Sequence, residues 1–202
     1  QLYEQAWQLK EKQGQVALQW GFSLQQLRRW DEAIEKFHVA LEKMPEQTNI
    51  LFYLGMCYER ASHETNNEKY FWEGEAIFER LIKIDPNDAF ALNYLGYMYV
   101  EKGIKLEIAI GLILRAVEIN SNNSAFLDSL AWAYFKLGNI ESAAKYIAQA
   151  IEHIDGDEGT ELAVIFDHAG DVSEAIGDVI TARKHWLRAL EIDQDNDLVR
   201  SK

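Results

Sequence analysis

The chain has 202 residues, 20 of them basic and 33 acidic, for a net charge of −13. With 48% apolar and 26% charged residues it has the balance of an ordinary soluble globular protein, long enough for a substantial core. Such an acidic chain repels a phosphate backbone on average, so nucleic acid is an unexpected partner and basic peptides or protein surfaces are the expected ones.

The single cysteine, Cys57, forbids an internal disulfide and lies in an apolar helical stretch, where it reads as a small buried hydrophobe. No apolar run spans a bilayer, because residues 108–117 are interrupted by Arg115. The first residues show neither an initiator methionine nor a basic-then-apolar leader. The compartment, cytoplasmic or periplasmic, is left open.

Taken in order, residues 1–13 fit the second helix of a preceding repeat, with Tyr3 and Ala6 three apart on one face. Residues 14–47 form a full helical hairpin. Gly21 lies on its first helix, Ala33, Phe37 and Ala40 on its second, Asp31 is a candidate N-cap and Pro45 a stop. Residues 48–88 repeat the pattern with Leu54, Gly55, Gly74, Phe78 and Leu81 before Pro86. This unit is longer than its fellows by a polar stretch at 61–69, expected to lengthen the connection between its helices. Tyr70, Phe71 and Trp72 then lead into the second helix as a packed staple.

Residues 89–123 and 124–157 are the two cleanest copies. Leu92, Leu95, Gly96, Tyr99, Gly103, Ala109, Ile113 and Ala116 are echoed by Leu127, Leu130, Ala131, Tyr134, Gly138, Ala143, Ile147 and Ala150. A spacer at 158–162 leads to a fifth unit, 163–196, with Ala169, Gly170, Gly177, Ala182, Trp186 and Ala189. Residues 197–202 form a tail too short for another hairpin. A period near 34 residues means stacked helical hairpins, each unable to bury its apolar face without a neighbour. The fold expected is all-α, a solenoid of antiparallel helix pairs.

The recurring small residues Gly21, Gly55, Gly96, Ala131 and Gly170, set against Phe37, Phe78, Ile113, Ile147 and Trp186, carry a resemblance to the tetratricopeptide repeat across nearly the whole chain. The stretches at 92–96, 126–132 and 166–171 are similar to those of bacterial members. Leu81 and Ser173 depart from the usual residues and change local packing only. The resemblance implies a right-handed superhelix whose first helices line a concave groove that holds partner segments.

Carried residue by residue, the groove positions of that family fall on Leu18, Phe22, Phe52, Met56, Phe90, Asn93 and Tyr97. They continue through Asp128, Trp132, Phe135, Asp167, Asp171 and Glu174. The middle of this set is aromatic and its end acidic, which suits a partner with apolar anchors and basic flanks. Tyr97 and Trp132 are the expected anchors, and Asn93 could grip the backbone of an extended peptide. Some members clamp a C-terminal carboxylate with basic and asparagine side chains. Here Leu18 and Phe22 hold the matching positions, so that clamp is not expected.

Other chemistry finds little footing. Asp167, Asp171 and Glu174 form one helical stripe, read with His168 as a solvated acidic face rather than a metal site. The acidic turn at 155–161 has the wrong spacing for a calcium loop. No phosphate loop or nucleophile motif is present, and no cofactor is expected. The reading that results is a non-enzymatic interaction scaffold. Two alternatives stay open: a self-assembling module, giving a homo-oligomer, and the repeat portion of a larger enzyme.

Overall fold

The computed structural model describes residues 2–45, 47–154, 160–194 and 196–202, the side chains of 2–8, 11, 160, 161 and 198 excepted. Among these residues there are helices and no strands. The helices are α1 (Leu2–Gln26), α2 (Trp30–Lys43), α3 (Thr48–Thr65), α4 (Glu68–Ile84), α5 (Ala89–Lys102) and α6 (Leu106–Ile119). They continue with α7 (Ser124–Lys136), α8 (Ile140–Glu152), α9 (Thr160–Ala175), α10 (Val179–Ile192) and the short α11 (Asp197–Arg200). Two compact units divide the chain, Gln1–Met98 and Tyr99–Lys202, with the boundary inside α5.

The helix ends follow from local chemistry. Asx side chains cap the exposed amides at one start after another. Asn67 accepts from Lys69, Asp88 from Ala91, Asn123 from Phe126, Asn139 from Ser142 and Asp178 from Thr181. The first helices of later hairpins stop where Gly103, Gly138 and Gly177 take positive φ. Arg28 takes the same conformation at the end of α1 without being glycine.

In the first unit α1 pairs antiparallel with α2, since Gly14 lies against Met44 and, seven residues on, Gly21 lies against Phe37. The rings explain the glycines. A Cβ on Gly21 would stand 2.8 Å from Phe37, and one on Gly55 2.7 Å from Phe78. Both rings are fully buried. Each contributes on the order of 1.5–3 kcal/mol by leaving water, and only a bare backbone lets it come so close. Ala17, Leu24, Ala33, Phe37, Ala40, Ile50, Leu54 and Cys57 share one core across α1, α2 and α3. Burial pushes the Cys57 thiol up to about 12, consistent with a packing residue.

The second unit uses the same device with different sizes. Gly170 faces Trp186, whose indole would stand only 2.2 Å from an added Cβ. In the α7–α8 hairpin Ala131 shares a core with the smaller Ile147. Around them Leu127, Ala143, Ala150, Ile165, Ala169 and Val172 fill the space. Val199 of α11 closes a separate cluster with Ala182, Trp186 and Ala189, so residues 197–202 dock on the last hairpin instead of trailing from it.

Several expected boundaries change. Helix α1 runs unbroken from Leu2 through Gly14, so residues 2–13, expected within a separate second helix, extend the first helix of the first hairpin. The side chains of Tyr3 and Ala6, and the turn at 155–159, lie outside the described residues. Asp31 is not an N-cap: the cap residue is Arg29, whose side chain makes no capping bond, and Asp31 instead accepts from the Tyr70 hydroxyl. The polar stretch 61–69 is not a loop. Residues 61–65 continue α3 and α4 begins at Glu68, leaving Asn66 and Asn67 as the connection.

Candidate interaction faces

In the first unit Phe52 is the hub of a ring cluster. It meets Tyr53, Phe78, Phe90 and Tyr94 edge-on, with centroids 5.3–6.2 Å apart. Tyr94 stacks on Phe78 at 5.7 Å. These T-shaped contacts set quadrupole edges against faces and lock the rings in place. Phe90, at the start of α5, remains 52% exposed. Together with Thr48, Asn49, Tyr53 and Asp88, the Phe52 and Phe90 rings line an open cleft of about 220 Å³ at the N-terminal ends of α3 and α5.

The other expected groove residues of this unit differ in access. Phe22 packs edge-on against Phe37 and Tyr53 as part of the core wall. Met56 and Tyr97 are half-buried. Leu18 is buried, and so is Asn93. The Asn93 Oδ1 has no hydrogen-bond partner among the described residues. A buried amide oxygen left so is costly, which makes Asn93 a point of interest in its own right.

In the second unit Asp128 and Trp132, expected on an open face, are both buried. Asp128 holds the Nδ1 of His168 at 3.0 Å through both carboxylate oxygens, across 40 residues of sequence. Trp132 lies flat on the His168 ring, centroids 4.0 Å apart, and its indole N–H donates to Glu101 at 2.7 Å. Phe135 stacks on the indole at 5.0 Å and the Lys136 ammonium stands 4.4 Å from its centroid. Burial pushes the His168 pKa down, but the Asp128 charge and hydrogen bond, helped by Glu101 and Asp167, carry it above the ordinary value of 6.5. The group ties α7 to α9.

One turn along α9 the same kind of contact recurs. Asp167 and Asp171 both accept from the Lys202 ammonium, at 2.6 and 2.5 Å, and the Trp186 indole N–H also donates to Asp171. Expected as a solvated face, these two carboxylates are thus engaged by the chain itself, while Glu174 is exposed. Sequence reasoning passed over Lys202 and Glu101, and it set His168 beside a solvated acidic face, whereas the ring is buried on Asp128. A signal was present for the histidine: Asp128 and His168 sit one position apart in the registers of successive first helices. No group of three or more His, Cys, Asp or Glu residues that could hold a metal occurs among the described residues. Nor is any helix among them long and apolar enough to cross a membrane.

Stacked helical hairpins closed by a small residue on one helix and a large one on the next define an α-helical repeat protein. The sequence profile of the Tetratricopeptide repeat matches residues 126–152, which span most of the α7–α8 hairpin. A TPR repeat-containing protein of Pseudomonas aeruginosa is 30% identical over 134 residues, 66% of this chain and 21% of the relative. The chain thus carries a match to the tetratricopeptide repeat in this hairpin and is similar to proteins built from that repeat. It spans about a fifth of the length of that curated relative.

Among solved structures, a thermophilic TPR protein of Thermus thermophilus superposes with a TM-score of 0.73 at 19% identity, over 93% of this chain and 95% of that one. PilW, a type IV pilus biogenesis factor, gives 0.72 at 17% identity, over 98% and 86%. At such identities these two likenesses establish the fold alone.

Proposed function

We propose that the chain is a non-enzymatic scaffold that binds a segment of a partner protein, seating an apolar side chain in the cleft between Phe52 and Phe90. The observation that carries this reading is the exposed Phe90 ring resting on a fixed aromatic cluster. An aromatic platform that is already ordered loses little conformational entropy when a partner covers it, so most of the apolar area it removes from water becomes affinity. Asp88 at the rim of the cleft favours a basic residue beside that anchor. The net charge of −13 acts in the same direction at long range. Independent support for basic partners comes from Asp167 and Asp171, whose carboxylates suit an ammonium group well enough to hold that of Lys202.

Tyr97, Met56, Phe135 and Phe22 are assigned secondary contacts in this reading. Asn93, Asp128 and Trp132 would act by shaping the helices that present them. A peptide-display selection on the chain, run beside Phe90→Ala, tests the proposal. The expected result is a motif with an apolar anchor and a neighbouring Lys or Arg, lost in the variant. A motif indifferent to Phe90→Ala would remove the cleft as its site.

A further inference from the structure

Helix α10 breaks a rule that the other second helices keep. Each of α2, α4, α6 and α8 carries an acid in its first turn, where the helix dipole favours one: Asp31 and Glu32, Glu68, Glu107 and Glu141. The first turn of α10 has none; the carboxylate there belongs to the N-cap Asp178, which accepts from the Thr181 amide. In that first turn Val179 and Ile180 stand 63% and 74% exposed, and Ile176 in the preceding turn is 56% exposed. Two turns further along the Ile180 stripe, Leu187 is 53% exposed. Arg183 and Lys184 lie exposed between them and Arg188 just beyond, paired with Glu191. The opposite side of α10 is spent on the core through Ala182, Trp186 and Ala189, and the half-buried His185 stacks on Phe166. The outer face is therefore apolar with basic edges, on a chain of net charge −13. Along those edges Lys184 lies in the field of Asp178, Arg188 is paired with Glu191 and Arg183 is exposed.

We propose that this outer face of α10 is a second docking surface, distinct from the Phe52–Phe90 cleft, and that it takes an acidic amphipathic helix of a partner protein. Charge complementarity selects the occupant. Arg183, Lys184 and Arg188 edge the apolar stripe, so a partner helix with apolar residues at i, i+4 and i+7 and Asp or Glu beside them matches it in both period and sign. An anionic membrane fits less well. Each basic residue near such a surface contributes about 1 kcal/mol, here from three residues of which Arg188 is ion-paired and Lys184 faces Asp178, and a lipid surface has no helical period to match the stripe. Apolar side chains gathered on one helix face and left in water are the signature of a surface that is covered part of the time.

The test uses the whole chain and two fluorescent helical peptides of about four turns. One carries a leucine stripe edged with Glu, the other the same stripe edged with Lys. Saturable binding of the Glu peptide is expected, weakening as salt rises and falling about tenfold or more in Ile180→Glu and in Leu187→Glu. The Ile180→Glu variant should unfold at the same temperature as the parent or higher, since it replaces an exposed side chain with an acid in the first turn; this separates lost binding from lost fold. Four outcomes would overturn the proposal. These are no binding of the Glu peptide, equal binding of the Lys peptide, indifference to both substitutions, or loss in Ile180→Glu only of self-association or of flotation with phosphatidylserine vesicles.

Discussion

At Gly170 a single hydrogen atom makes room for an indole. The ring of Trp186 lies so close that any side chain must displace it, and with it the bond from Trp186 to Asp171. Gly170→Ala should therefore cost about 1–3 kcal/mol, seen as a lower urea midpoint and a blue- or red-shifted tryptophan emission in the native state. Ala131, facing the smaller Ile147, shows that the same position accepts a methyl group when its partner shrinks.

His168 sets the pH behaviour. Its folded pKa lies above its unfolded value of about 6.5, so the charged pair with Asp128 stabilises the fold fully below that value. The contribution is lost as pH rises through the folded pKa, which strands a buried carboxylate beside a neutral ring. Urea midpoints measured from mildly acidic to alkaline pH should fall through this window in the parent and fall less steeply in His168→Gln. A parent with no slope there would refute the assignment.

Among elements, α3 is the one whose length has a consequence. Its additional turn carries Glu64 back to the end of the first hairpin, where one carboxylate oxygen accepts from the Arg28 guanidinium at 2.8 Å and the other from the Trp30 indole at 2.7 Å. The ion pair is exposed on the arginine side and contributes little, so the indole bond carries most of the effect. Glu64→Ala should lower stability by about 0.5–1.5 kcal/mol, and Arg28→Ala by less. Comparison of the two by chemical denaturation separates the contributions.

The same element shows where sequence reading succeeds and where it stops. Helix pairing was legible because a small residue on one helix and a large one on the next, such as Gly21 with Phe37 and Gly170 with Trp186, recur in register. The one cap expected, Asp31, was misplaced because Arg29 holds that position. The turn added to α3 was not legible, since a polar run with no apolar stripe looks like a loop until Glu64 is seen to have partners. Gly14 looked like a boundary for a comparable reason, although in α1 it serves close packing against Met44. Burial of Trp132 and Asp128 depends on what the following first helix lays over them. A register position specifies a face of the helix and leaves open whether the neighbouring repeat covers that face.

At the scale of the whole molecule, one docking surface is proposed on each unit: the aromatic cleft at the ends of α3 and α5, and the apolar, basic-edged outer face of α10. The central claim concerns the first. Amide hydrogen exchange of the whole chain, with and without a peptide selected by display, tests it most directly. Slowed exchange is expected to concentrate at residues 48–53 and 88–94, with the α7–α9 segment unchanged. Protection confined to other helices, with residues 48–53 and 88–94 exchanging as in the free chain, would contradict it.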